Sequence, residues 1–174
     1  MKSLMLCMIC CTFILGAVSI PARAQDKGGP SFPYKPSYSS SFEIGDPALA
    51  RMVLELWKDY DENSLDRHAD WFADTAVIYL ANGAVVKGRD SMLTGVKKHR
   101  STIAKVKTTL HAWMSLRSTD RRENWVALWA TEEDTSKDGT TTAVSLHEVW
   151  RINKAGKVDQ ILQYAQEVPP EPRK

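Results

Sequence analysis

The stretch WFADTAVIYLANG, residues 71–83, decides the fold. It begins as the end of an amphipathic helix. Ser64 is placed to cap that helix, and Leu65, His68, Ala69 and Phe72 share one side of it. Thr75 to Leu80 then reads as a β-strand, Asn82-Gly83 as a tight turn, and Val85-Val86 as a short returning strand. Only Asp74 and Thr75 separate helix from strand.

Reading outward, Asp46-Pro47 opens a first helix, with Asp as cap and Pro at the first helical position. Leu49, Met52, Val53, Leu56, Trp57 and Tyr60 recur at helical spacing and give it one broad apolar face. Asp90 opens a third helix in which Met92, Val96 and His99 align. After Ser101 the period falls to two. Strands are predicted at 105–117, 125–133, 140–153 and 158–167, parted by STDRREN, SKDGT and NKAGK, which carry good turn chemistry. Three helices and a strand pair followed by four antiparallel strands make an α+β domain, with the helices on one face of a curved sheet.

The order and spacing of these pieces resemble a known superfamily. The first helix, Trp71-Phe72-Ala73-Asp74 running into Thr75–Leu80, Lys87-Gly88-Arg89-Asp90, and Val149-Trp150-Arg151-Ile152 before Lys154-Ala155-Gly156-Lys157-Val158 look like the nuclear-transport-factor-2-like proteins. The flavour is that of the SnoaL-like and ketosteroid-isomerase-like branch, over residues 46–167. The resemblance implies a cystatin-like α+β barrel: a cone-shaped, curved antiparallel sheet with three N-terminal helices closing its mouth. It implies a small-molecule pocket inside the cone, with Phe72 facing inward as a plug. Members of this family commonly dimerise through the convex face of the sheet.

The ends of the sequence read differently. Lys2, the apolar run 4–18 and Ala22-Arg23-Ala24 form a secretory signal peptide, residues 1–24. The run is short for a bilayer, so no membrane span is expected in the mature chain. Residues 25–45, rich in Pro, Gly and Ser, are expected to be a flexible leader, and 168–174 a tail. All three cysteines, Cys7, Cys10 and Cys11, lie in the signal, so the exported domain, periplasmic or secreted, has no thiol or disulfide. Lys2 and Arg23 also fall there, which leaves 21 basic residues against 21 acidic ones in place of the formal +2 of the whole chain. A neutral domain without a basic stripe has no field to gather nucleic acid.

Whether the pocket performs chemistry depends on individual residues, because one fold hosts many activities. Ketosteroid isomerases use an Asp base at the end of the first strand, with a helix-one Tyr and a neutral late-strand Asp as oxyanion hole. The matching positions here are Leu80, Leu56 and Glu148. Leu80 takes no proton, so that route is closed. Glu148 alternates in phase with Leu146, Trp150 and Ile152. A carboxyl among them is desolvated, its pKa rises, and it becomes an acid, base or donor; the alternatives are a register off by one, or a pairing with Arg151 or Lys157 at the sheet edge. His68, beside Phe72, is either a base at the pocket mouth or a core histidine with a satisfied bond. His111 sits mid-strand, in the region where scytalone-dehydratase-like relatives carry a working histidine. His147 is out of phase with Glu148 and faces away. No HxH or HxxxH pair is present, and neither a metal nor a cofactor is expected.

The pocket walls are assigned to Trp57, Tyr60, Phe72, Leu80, Trp150 and Gln163. Trp125 and Trp129 share the opposite face of one strand and are expected to line a homodimer interface. The sequence thus describes an exported SnoaL-like domain that binds a small, largely apolar molecule. An isomerase or lyase using Glu148 with a histidine is the second reading, and a dimeric assembly module with a vestigial pocket the third.

Overall fold

A computed structural model of the chain describes residues 32–168. The chain divides into two compact units, Met1–Tyr34 and Lys35–Lys174. Residues 32–34 of the first carry no regular structure, and Phe32 and Tyr34 are exposed. The expected signal peptide, most of the leader and the tail beyond residue 168 lie outside the described residues.

The second unit holds one seven-stranded sheet in the order β1-β4-β5-β6-β7-β2-β3. β1 is Phe42–Ile44, β2 Phe72–Tyr79, β3 Val85–Lys87, β4 Ile103–Ser118, β5 Glu123–Ser136, β6 Thr141–Ile152 and β7 Val158–Glu167. All neighbours run antiparallel except β2 and β7, which are parallel. Two α-helices, α1 (Pro47–Asp61) and α2 (Arg89–Arg100), pack against the sheet. This is the curved, open, largely antiparallel α+β cone.

The helix α1 forms as its sequence dictates. Asp46 Oδ1 accepts from Ala48 N at 2.9 Å, and Pro47 occupies the first helical position. Val53 and Leu56 face inward and meet Val126, Leu128, Trp150 and Ile152 from the sheet. Full burial of each such side chain is worth about 1.5–3 kcal/mol. The inner face of β5 is carried by Val126, Leu128 and Ala130, all with no exposed surface.

The count of three helices is corrected to two. Residues 64–71 form turns and a single 3-10 turn, Ala69–Trp71, rather than a second helix. The cause is Asp59, which is 1 % exposed on the inner face of α1. Asn63 takes a left-handed φ of 55° and ends the helix, and the chain then folds around the Asp59 carboxylate. Arg67 and His68 reach back to it at 3.1 and 2.7 Å. A regular helix over 64–71 is displaced by these charge-assisted bonds. β2 begins at Phe72, directly after the 3-10 turn, and its pairing with β7 shifts register between Phe72 and Val77.

The leader is corrected at its C-terminal end. Residues 38–45 are tied to the domain, not free. β1 adds to the edge of β4, pairing Phe42 with Ser118 and Ile44 with Leu116. Ser39 Oγ and Ser40 N donate to Asp120 at 2.7 and 2.9 Å. Gly45 lets the strand approach this closely, since a Cβ there would stand 2.9 Å from the Leu116 carbonyl carbon.

Candidate functional site

Strand β6 decides the site. Its inner face reads Leu146, Glu148, Trp150, Ile152, all buried, so a carboxyl is set into an apolar wall. Glu148 is 6 % exposed. Three side chains from three elements close on it. Trp57 of α1 and Trp150 of β6 both donate their indole N–H to Oε2, at 3.0 and 2.9 Å. Gln163 of β7, directly opposite in the β6–β7 register, donates its amide Nε2–H to Oε1 at 2.9 Å. Burial pushes the Glu148 pKa above its ordinary value, and the three donors oppose that rise without cancelling it.

A second acidic group lies further along the same concave face. Glu132 and Asp134 of β5 share the inward phase of Val126, Leu128 and Ala130. Burial lifts the Glu132 carboxyl to about 8, with the charges of Asp134, Glu148 and Asp61 adding to the effect. Asp134 is raised too, first by burial. Its Oδ1 is enclosed and has no partner while both carboxyls are ionised; a proton on Glu132 supplies one. Tyr60 stands near this pair, and burial holds its phenol firmly protonated. Arg100, buried nearby, is spent on the carbonyls of Tyr60, Asp61 and Ile103 and makes no ion pair with a carboxylate among the described residues. The sequence offered a signal for Glu132 and Asp134, since both continue the alternation of Val126, Leu128 and Ala130, but acids at a strand end read as solvent-facing.

The site residues expected from the sequence fall into two groups. Trp57, Trp150, Gln163 and Glu148 form one hydrogen-bonded cluster. Phe72 joins it, its ring 6.2 Å from Trp150. Leu80 packs on the core and, with Gln163, lines a cleft of about 260 Å³ where β2 ends beside β7. Tyr79, Ala81, Gly83, Leu162, Tyr164 and Ala165 complete its walls.

The histidines stand elsewhere. His68 is bound to Asp59 Oδ2 at 2.7 Å and stacks on Trp71 at 3.9 Å. It serves the loop after α1 and makes no bond to Glu148. His111 is the extra residue of a β-bulge between Leu110 and Ala112. It is exposed, with Nε2 2.9 Å from Thr131 Oγ1, and Thr131 is out of phase with Glu132 and so on the outer face. The expected Glu148–histidine pair is therefore not assembled. Among the described residues no group of three or more metal-ligating side chains is gathered, and no helix is long and apolar enough to cross a membrane.

The convex face also departs from expectation at one position. Trp125 is buried, 7 % exposed, because Tyr38 packs edge-on against it at 5.9 Å and Arg151 lies over its ring. Trp129 instead heads a stacked row with His147 at 4.6 Å, and His147 in turn stacks on Tyr164 at 5.9 Å.

No protein-family model matches the chain, and no curated protein does. Solved structures do. An NTF2-like protein of unknown function from Exiguobacterium sp. 255-15 shares 16 % identity at a TM-score of 0.56, covering 67 % of this chain and 98 % of that one. SalBIII, an epoxide hydrolase/cyclase-like enzyme in pyran ring formation in the polyether salinomycin, shares 16 % at 0.58, covering 69 % and 92 %. The Δ5-3-ketosteroid isomerase of Mycobacterium sp. shares 14 % at 0.56, covering 69 % and 98 %. At these identities the likeness is one of fold. The chain has the NTF2-like α+β cone fold, the fold that these epoxide-hydrolase-like, SnoaL-like and ketosteroid-isomerase-like proteins share.

Proposed function

We propose that this domain is exported, to the periplasm or beyond, and binds a small, largely apolar molecule in its cone. The ligand enters by the cleft between Leu80 and Gln163, and Glu148 is the polar anchor behind it. One observation carries this reading. A carboxyl is buried in an apolar wall, held by three donors, and joined through Gln163 to a cleft. Such an arrangement costs stability, and ligand recognition is the ordinary reason for a fold to keep it. The fold neighbours include an enzyme of pyran ring formation in a polyether and a ketosteroid isomerase, which fits a small-molecule site.

Binding is favoured over turnover because no proton-transfer partner meets Glu148. Its partners are two indoles and an amide, and neither His68 nor His111 reaches it. The domain works as a homodimer through its convex face in this proposal. The stacked row Trp129–His147–Tyr164 supplies the apolar surface there, while Trp125 is already covered by Tyr38.

The test is an NMR screen of labelled protein against a set of small cyclic ketones and alcohols. Binding perturbs the indole N–H resonances of Trp57 and Trp150 together with Leu80 and Gln163. Perturbation confined to other parts of the domain would place any ligand outside the cone and overturn the assignment.

A further inference from the structure

We infer that Glu148 and Gln163 form a proton-set amide switch that decides which polarity of ligand the cleft accepts. With Glu148 ionised the cleft is offered a carbonyl acceptor and takes a hydrogen-bond donor. With Glu148 protonated it is offered an N–H donor and takes a carbonyl-type acceptor. The inference rests on the proposed use of the cone as a small-molecule site and names the chemistry that selects its ligand.

An indole nitrogen donates and never accepts. Both indoles, from Trp57 and Trp150, donate to the same oxygen, Glu148 Oε2. That oxygen has no room for a proton of its own without expelling one of them. A proton on Glu148 therefore sits on Oε1. The one side-chain partner of Oε1 is Gln163, at 2.9 Å. While Oε1 is an acceptor, the amide turns its N–H inward, which leaves its carbonyl as the pole free for the cleft that Gln163 lines. When Oε1 carries a proton it becomes a donor, and an amide nitrogen cannot accept it. The carboxamide then rotates by half a turn, its carbonyl accepts from Oε1, and its NH₂ group faces the cleft. Atoms balance throughout, since the one proton gained or lost comes from solvent.

The cleft is built to sense this. Its volume of about 260 Å³ is small, and Tyr79, Leu80, Leu162 and Tyr164 give it mostly apolar walls. In such a place one amide group sets polarity, because a ligand atom of the wrong kind leaves a polar group unpaired. Few charges act on Glu148. Glu132 on β5 is coupled to Glu148 by like charge and is itself raised by Asp134 and by Asp61 of α1, while His147 on β6 opposes the rise at Glu148. On β7 the inward phase Ile161, Gln163, Ala165 brings no charge.

The test uses the full domain and two probes of opposite character: acetophenone, which only accepts, and indole, which only donates through N–H. The ¹³C shift of the Glu148 carboxyl fixes two pH values, one on each side of its titration. Crossing from the lower to the higher, acetophenone loses roughly tenfold in affinity and indole gains about the same, the scale of one hydrogen bond. Gln163→Leu weakens both probes and leaves no opposed pH dependence between them. Equal pH behaviour of the two probes, with Glu148 seen to titrate, overturns the switch and leaves the binding site intact. A Glu148 carboxyl that keeps one state from pH 4 to 10 also overturns it. Neither probe perturbing Leu80 or Gln163 at either pH overturns the switch and the binding site together.

Discussion

The indole N–H of Trp57 meets Glu148 Oε2 at 3.0 Å across 91 residues of sequence. The bond joins α1 to the middle of β6, so the helix is positioned on the sheet by the same contact that anchors the site. Trp57 also belongs to the apolar packing of the core. Site and fold are thus coupled, and substitutions at Glu148 report on both.

Glu148→Leu leaves three N–H donors, those of buried Trp150 and of half-buried Trp57 and Gln163, without their acceptor. Each unpaired group costs about 1–3 kcal/mol, and relief from burying a carboxyl offsets part of the total. A net loss of about 2–4 kcal/mol is expected in urea unfolding. Glu148→Gln retains an oxygen for the two indoles, and Gln163 turns to meet the new amide, so its loss stays below about 1 kcal/mol. Equal losses for the two variants would contradict the donor arrangement.

Glu132 makes stability depend on pH. Its carboxyl is lifted from 4.5 to about 8 in the folded domain. Between those values the folded state holds a proton that the unfolded state has released. Stability is therefore full below pH 4.5 and falls as pH rises toward 8, with a slope of at most about 1.4 kcal/mol per pH unit for one proton. Glu132 and Asp134 titrate as a pair, so the slope is spread over the window. Glu132→Gln flattens the curve of unfolding free energy from pH 5 to 8; an unchanged slope would assign it to other groups.

The loop after α1 is held by Asp59. His68→Ala removes a bond at 2.7 Å to a buried carboxylate and the stack on Trp71. A loss of about 1.5–3 kcal/mol is expected, the range for bonds to charged groups. Proton transfer plays no part in this prediction, and ligand affinity at Glu148 is unchanged. A stability-neutral His68→Ala that weakens binding would return His68 to the pocket mouth.

Tyr38 covers Trp125. Tyr38→Ala uncovers that indole, and Gly45→Ala weakens the docking of β1 by pressing a methyl against Leu116. Both changes red-shift tryptophan emission and raise amide exchange along the β4 edge, at a cost of about 1 kcal/mol each. Emission unaltered in both variants would mean that the leader does not shield Trp125.

Much of this architecture is legible in the sequence, because helix and strand periods are strong where one face is buried. Asp46-Pro47 marks the start of α1, and the alternation through Leu146, Glu148, Trp150 and Ile152 places the carboxyl among apolar neighbours. What the sequence hides is settled by distant contacts. The periodicity after Ser64 reads as a helix, yet Asp59 draws Arg67 and His68 into a turn. The bulge at His111 is invisible to a period of two, and it moves Trp113 and Ser115 onto the register of Leu128 and Val126. Tyr38 lies in a Pro- and Ser-rich stretch, where nothing local announces a partner 87 positions away at Trp125.

The central claim is that the cone holds a small molecule against Glu148 and Gln163. Native mass spectrometry of the protein isolated from its own host tests it most directly. The account predicts a folded domain carrying a small organic molecule, retained by the wild-type chain and lost from Gln163→Leu and Glu148→Leu alike. The same molecule held equally by both variants would contradict it.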